Sequence, residues 1–561
     1  MVSAIAWEAP SIDESKVAAL ATAAGLRPLT ARLLVARGIA EADLAARFLA
    51  PRLANLRPPD GMADLSRALE RLVAAFAAGE TIGVFGDYDV DGVTTAAVLT
   101  SAFRAFGGKV IARAASRQAG YGLGVDDVGR FADAGCRVLV TGDCGTSDHE
   151  ALEAARARGL DAIVIDHHEL PEGPSAAYAL VNSRRPDDGF PFKGLASCGV
   201  AFYLTAALRT RLGSAFDPRD LLDLVALGTI ADLVPLVAEN RILVAAGLER
   251  LTARKRPGVA ALARRAELEG SITAHDAAFR LTPRLNAAGR LGEAQLALDL
   301  LLADDADAER LAAELDDQNT ERQRVQELVW KEALALATEQ VEVDGAPAIV
   351  VGAEGWHPGV VGIIAARLVD RFARPAIAIG FRDGAGRGSA RTVPGVNLFD
   401  ALAACAGHLT KFGGHAGAAG MSMAIGDLGG FRAAFAVEAA RQLGAARRSS
   451  AVAVDAEVTL RDLDLGFAEE LARLAPFGVA NREPLFALSG VTARTTRVVG
   501  KDHLQLTLDH GGATSEAIAF GFADADPGPG ARVDLVATAE LDTFRGLTRA
   551  RLKVSRLARV P

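Results

Sequence analysis

The sequence predicts an α/β protein of several domains: a mostly parallel sheet, a long connector helix, a second α/β block and a small β domain at the C-terminal end. Three observations predict it. Short apolar runs at 81–86, 137–141 and 161–165 alternate with helical patterns at about 93–106, 126–134 and 147–158, the pitch of βαβ units. Residues 304–340 form a charge-dense helical pattern without Gly or Pro. Past about 450 the pattern shortens to alternating runs such as Leu504–Leu508 and Arg532–Ala537, which suit a small β domain. A chain of 561 residues also exceeds what one core of ordinary size can hold, so three or four domains are expected.

Taken in order, residues 1–60 are helix-like and end in the breaker run Arg57-Pro58-Pro59-Asp60-Gly61. Residues 61–303 hold the first helix (Leu65, Leu69, Leu72, Val73, Phe76), the strand–helix alternation and a helix-rich stretch from 218 to 300. Residues 304–340 are read as an inter-domain connector, with Glu309, Arg310, Glu314 and Asp316 on its solvated faces. In 341–445, apolar runs at 347–352 and 375–381 flank a helix at 359–372, and a Gly-rich stretch runs from Phe412 to Gly420. A linker from Gln442 to Ser450 leads into the β domain, 446–561.

Half the residues are hydrophobic, which excludes a mainly disordered chain. No basic stretch followed by an apolar one opens the sequence, and the best apolar run, 221–237, is broken by Asp223 and Asp232. Cys136, Cys144, Cys198 and Cys405 have no CxxC spacing and read as buried thiols. A cytoplasmic protein with no membrane contact is expected. With 61 Lys and Arg against 70 Asp and Glu the net charge is −9, at first sight the wrong sign for a nucleic-acid partner.

The chemistry lies at the ends of the predicted strands. Gly86-Asp87-Tyr88-Asp89-Val90-Asp91-Gly92 crowds three carboxylates into one turn, a penalty that a divalent cation removes. The pattern also begins like an EF-hand loop, but Val98 stands at the twelfth position, where that loop needs Glu. Asp143 follows the second strand, and Asp166-His167-His168 follows the third. One acid after a strand is usually a helix cap; three in succession, one with a His pair, favour a metal site at the edge where open α/β sheets bind ligands. Asp232, after an apolar helical run, would complete the cluster.

These blocks, in this order, resemble the DHH phosphoesterase superfamily. Ser116-Arg117 with Gly120-Tyr121-Gly122, the run from Pro283 to Arg290, Gly388-Ser389-Ala390-Arg391, and Gly413 to Gly420 narrow the resemblance to its exonucleases specific for single-stranded DNA. The resemblance covers nearly everything from about residue 60 onward. It implies a DHH catalytic domain, a DHH-associated (DHHA1) domain at 341–445 and an OB-fold at 446–561. The implied reaction is two-metal phosphodiester hydrolysis, 5′ to 3′, that releases 5′-mononucleotides during recombination and repair. Asp87, Asp89, Asp91, Asp143, His167 and Asp232 would hold two Mn²⁺ or Mg²⁺ ions, with Asp143 shared. Asp89, Asp143, His167 and His168 would form the catalytic set, His168 touching the scissile phosphate and Asp166 orienting the histidines.

Arginine matches phosphate geometry, so Arg117, Arg284, Arg290 and Arg391 are the candidates for holding phosphates, with Arg284 and Arg391 as readers of the 5′ end. Tyr121, Asn286, Ser389, Gly414 and His415 are placed beside them, the glycines offering backbone N–H groups to a phosphate. In the β domain, Phe477, Phe486, Phe520 and Phe544 are candidate base stackers, although each suits a core position better. An aromatic-Arg-Gly turn at Arg545-Gly546 and the six basic residues from Arg545 to Pro561 read as a DNA-tracking surface. Residues 367–391 likewise hold six Arg against two Asp, so the −9 averages a basic track with acidic faces. A monomer is expected, with single-stranded DNA as substrate and a single-strand-binding protein and a RecQ-type helicase as partners. Two rivals stand beside this reading. One is a relative acting on cyclic dinucleotides, very short RNAs or pyrophosphate; the other is a non-catalytic DNA-binding scaffold.

Overall fold

The computed structural model describes residues 5–117, 120–444, 451–544 and 546–560. The first sheet is all parallel, in the order β2-β1-β3-β4-β5: β1 Thr81–Gly86, β2 Lys109–Ala114, β3 Cys136–Gly142, β4 Asp161–Asp166 and β5 Ala179–Asn182. Helices cover both faces, so the inner strands read as continuous apolar runs. Strand β2 was not predicted. It is a half-exposed edge strand whose Lys109 and Arg113 interrupt the apolar signal.

Helices α1 Val90–Ala105, α2 Ser197–Leu212 and α3 Leu222–Ala231 pack together behind the C-terminal edge of this sheet and are buried along most of their length. The close fit depends on Gly228. A Cβ there would come within 2.6 Å of Cys198 Sγ and 2.8 Å of Asp91 Oδ1. Helix α4, Thr282–Leu291, leads toward the connector.

The connector helix α5, Asp305–Thr338, divides its contacts between two cores. Ala308, Leu311, Ala312 and Leu315 belong to the catalytic core; Val329, Ala333 and Ala337 pack on the next block. That block has a sheet in the order β9-β10-β8-β7-β6: β6 Ile349–Glu354, β7 Ala376–Arg382, β8 Ala385–Arg391, β9 Lys411–Gly414 and β10 Ala418–Ala424. Only β6 and β7 are parallel, joined through helix α6, Pro358–Phe372.

The C-terminal region closes into a barrel. Strands β11 Phe486–Val499, β12 His503–His510, β13 Ala513–Ala519, β14 Arg532–Phe544 and β15 Leu547–Arg559 form one sheet, and β11 pairs with both β12 and β14. The N-terminal helices Glu14–Ala24, Pro28–Ala36 and Ala42–Leu49 bury Leu20, Leu33 and Leu34 in this barrel's core, and Trp7–Glu8 pairs with Val452–Ala453. The first and last parts of the chain therefore share one core. Among the described residues no single helix is long and apolar enough to cross a membrane.

Candidate metal centre and phosphate cleft

Three strands of the parallel sheet end at the acids. Strand β1 delivers Asp87, β3 delivers Asp143 and β4 ends on Asp166, all buried. Asp89 caps α1, with one carboxylate oxygen accepting from Gly92 N at 3.0 Å. Gly92 has no substitute there, because a Cβ would fall 2.6 Å from the Asp87 carbonyl oxygen. Asp143 has φ 64, a left-handed conformation uncommon outside glycine and tolerated best by Asp and Asn.

These side chains gather into two clusters linked by a third, Asp143 with His167 and His168. One ligand atom each from Asp87, Asp89 and Asp143 lies within 4.8 Å of the others, and the same holds for Asp91, His167 and Asp232. Asp143 lies between the clusters, with Oδ1 3.3 Å from His167 Nε2, whose other near acid is Asp232 Oδ2 at 3.4 Å. Among the described residues neither His167 Nε2 nor Asp232 Oδ2, both buried, has a hydrogen-bond partner. Buried polar atoms are normally satisfied, so these two mark where a ligand belongs.

Electrostatics point the same way. Burial and the neighbouring Asp89 push Asp87 up to about 7, and burial with Asp91 and Asp89 pushes Asp232 up to about 8. Burial and four surrounding acids hold Asp143 far above the usual carboxylate range. Asp91 is raised by burial, even though its carboxylate accepts from Ser197 N at 2.7 Å and Cys198 N at 3.0 Å at the start of α2. Burial depresses His167, which favours the neutral imidazole a metal needs. Hard oxygens with one imidazole suit Mn²⁺ or Mg²⁺, so the residues present fit two such ions.

Asp166 is held apart from this set by its hydrogen bonds. It accepts from His168 Nδ1 at 2.7 Å, from His167 N at 2.7 Å and from Thr146 N at 3.2 Å. Burial raises its pKa, but the hydrogen bonds from His168 and Thr146 and the charges of His168 and His167 together outweigh that and bring it to about 2. Burial lowers His168, yet Asp166 holds that ring at about 9, an imidazolium. Asp166 thus orients the ring of His168 and only the backbone of His167. The Tyr121 hydroxyl stands 3.2 Å from His168 Nδ1 and 3.2 Å from the Asp143 carbonyl oxygen.

Facing the acids is a cluster of arginines. Burial together with Arg117, Arg322 and Arg391 depresses Arg290 to about 10, while Asp89 acts on it in the opposite sense. Arg117 donates to the Gly289 carbonyl at 2.6 Å and lies 4.0 Å over the Tyr88 ring; Arg290 donates to the Gly359 carbonyl at 3.0 Å. Arg391 donates to Ser389 Oγ at 3.0 Å, and Gly362 of α6 leaves room for both. Asn286 is half-buried one helical turn before Arg290.

Arg284 does not join this cluster. Its Nε pairs with Asp316 at 2.8 Å and its Nη1 donates to the Arg280 carbonyl, which ties α4 to α5. The Gly-rich stretch is a β-hairpin: Gly414 ends β9 with φ 136 and His415 is exposed at the tip. Gly420 on β10 pairs with Ser389, so the hairpin lies beside the arginine strand.

The barrel bears out the core reading for two of the candidate stackers and corrects the reading of the basic tail. Phe486 is fully buried and Phe477 packs against the barrel core, whereas Phe520 is 54% exposed, edge-on to His503. The Phe544 side chain, Arg545 and Pro561 lie outside the described residues. The basic tail is strand β15, and it is not unopposed: Arg549 pairs with Asp542, Arg551 with Glu540 and Lys553 with Glu483. Sequence reasoning missed Ser197, whose Oγ donates to Asp143 Oδ1 at 3.0 Å. It also missed Tyr88 under Arg117, and Arg322 beside Arg290. The only signal for Ser197 was a small polar residue opening an apolar helical run.

Comparison with known proteins reports the same architecture. Family models match residues 81–229 (DHH family, N-terminal domain), 345–440 (DHHA1 domain) and 454–556 (RecJ OB domain). The single-stranded-DNA-specific exonuclease RecJ of Escherichia coli is 37% identical over 93% of this chain and 94% of its own. The chain belongs to the RecJ family. RecJ of Bacillus subtilis is 35% identical over 99% of this chain and 71% of its own. The crystal structure of RecJ in complex with Mn²⁺ from Thermus thermophilus matches with TM-score 0.84 and 31% identity, over 99% of this chain and 80% of that one. A Mg²⁺ complex of the same RecJ matches with TM-score 0.77 and 30% identity, over 99% of this chain and 78% of that one.

Proposed function

We propose that this chain is a 5′–3′ exonuclease that degrades single-stranded DNA to 5′-mononucleotides by two-metal phosphodiester hydrolysis, in recombination and repair. The observation that carries the reading is the chain of three clusters joined through Asp143 and His167, with His167 Nε2 and Asp232 Oδ2 left without hydrogen-bond partners among the described residues and arginines opposite. Two Mn²⁺ or Mg²⁺ ions bound there supply charge neutralisation and activation of the attacking water. Asp87, Asp89 and Asp143 would hold one ion and Asp91, His167 and Asp232 the other, with Asp143, beside His167, placed to serve both. His168, protonated against Asp166, donates a hydrogen bond to the scissile phosphate, and Tyr121 steadies its ring. Arg117, Arg290, Ser389 and Arg391 receive the 5′-terminal phosphate, with Asn286, Gly414 and His415 lining the path beyond.

We place divisions at about 60, 303, 340 and 445, giving N-terminal, catalytic, connector, DHHA1 and OB parts; the catalytic and DHHA1 parts have cores of their own, the N-terminal part shares the core of the OB part, and the connector divides its contacts between its two neighbours. Because the strand must arrive unpaired, a RecQ-type helicase and a single-strand-binding protein are the proposed partners of a cytoplasmic monomer. Oligonucleotides blocked at one end test the reading directly in Mn²⁺ or Mg²⁺. A 5′ block is expected to stop release of 5′-mononucleotides, and a 3′ block to leave it intact. Digestion that proceeds past a 5′ block overturns it.

A further inference from the structure

Arg241 lies nine residues beyond Asp232, in the first turn of the helix Ala238–Ala253, and is 2% exposed. Its guanidinium makes five hydrogen bonds, all to backbone carbonyls. Nε donates to Phe48 at 2.9 Å; Nη1 to Leu474 at 2.8 Å and Pro476 at 3.3 Å; Nη2 to Arg473 at 3.0 Å and Ala475 at 2.8 Å. The five N–H groups of an arginine are therefore all used, and the cation also lies 4.0 Å over the Phe48 ring. Among the described residues no carboxylate pairs with it. Burial, with Arg37 nearby, depresses it to about 10.

An unpaired cation is expensive to bury, so its retention points to what it fixes. The acceptors belong to the last N-terminal helix and to the turn that leads into the barrel. The same turn is gripped a second time: Leu236 N donates to the Val479 carbonyl at 2.8 Å, and a Cβ on Gly478 would meet Leu236 Cδ1 at 2.6 Å. Asn481 Nδ2 donates to the Leu474 and Pro476 carbonyls, and Arg37 donates to Asn481 Oδ1. The segment from 236 to 241 that makes these grips is the continuation of Asp232.

We infer that Arg241 is a positioning residue for long single strands. It fixes the barrel and the N-terminal helices on the segment that carries Asp232, so that a strand lying on the barrel enters the metal pocket in one register. The inference rests on the exonuclease reading above.

The test compares full-length R241M and wild type on a 5′-phosphorylated trinucleotide and on a single strand of ~30 nucleotides, both with Mn²⁺, since one such barrel covers ~4–16 nucleotides. For the trinucleotide, kcat/KM is expected within about 2-fold of wild type. For the long strand, KM is expected to rise roughly 10-fold or more while kcat stays within about 3-fold, because the tethering contribution of the barrel is lost. R241K, with three donors for five acceptors, is expected to fall between them, and it carries the same comparison if R241M does not fold. Equal losses on both lengths, or no length-dependent change in KM, overturn the proposal. Wild type inactive on both strands overturns the exonuclease reading, and this proposal with it.

Discussion

The two walls of the cleft are opposites. The wall built by the parallel sheet and the end of α3 crowds carboxylates until burial and mutual repulsion drive Asp87, Asp143 and Asp232 upward. The wall built by α4, α5 and β8 crowds guanidinium groups until Arg290 is driven down. Each wall is electrostatically incomplete, and in opposite senses: one needs cations, the other an anion. Neither charge set is there for stability, since each costs folding free energy until its counter-charge binds. A phosphodiester, which acids alone repel, can enter only once cations sit on the acidic wall.

The largest effect is expected from breaking the acidic wall where its clusters meet. Asp143→Ala should lower cleavage by more than ~10³-fold while DNA binding persists through the other wall, read by comparing turnover with strand binding. On the basic wall, Arg391→Ala removes a charge-assisted contact and should cost roughly 10–100-fold, carried by KM on 5′-phosphorylated strands. Asp166→Asn leaves both walls in place but loosens His168, and should cost roughly 10–100-fold in kcat.

A pH series without metal sharpens the contrast. Asp87 and Asp232 bind protons more tightly folded than unfolded, so the stability they contribute is whole below about pH 4 and is lost as pH rises through about 7 and 8. Metal-free protein should therefore melt progressively lower between pH 5 and 8 in that window, and Mn²⁺ should reverse most of the loss. The smallest effect is expected at Arg284. Its pairing with Asp316 is partly exposed, so Arg284→Ala should cost ~1 kcal/mol of stability at most and leave activity within about 3-fold.

The acidic wall was legible in the sequence because its chemistry is local. Asp87, Asp143 and Asp166 stand at the ends of β1, β3 and β4, Asp89 and Asp91 follow Asp87 within one turn, and Asp232 closes an apolar helical run. The basic wall was legible only in part, because an arginine's role depends on what lies opposite it. Arg284 looked equivalent to Arg290 six residues on, yet Asp316 on another helix claims it. The basic C-terminal run looked unopposed, yet its partners Asp542, Glu540 and Glu483 come from elsewhere in the barrel. Edge strand β2 escaped because its exposed charges break periodicity, and the union of N-terminal helices and barrel escaped because contacts more than 400 residues apart leave no local pattern.

The central claim is that one acidic pocket takes two divalent ions through a shared Asp143. Calorimetric titration of metal-free protein with Mn²⁺ tests it most directly. Wild type should bind two ions per chain, and Asp143→Ala should weaken both sites together. A stoichiometry of one or none, or an Asp143→Ala variant that binds like wild type, would contradict it.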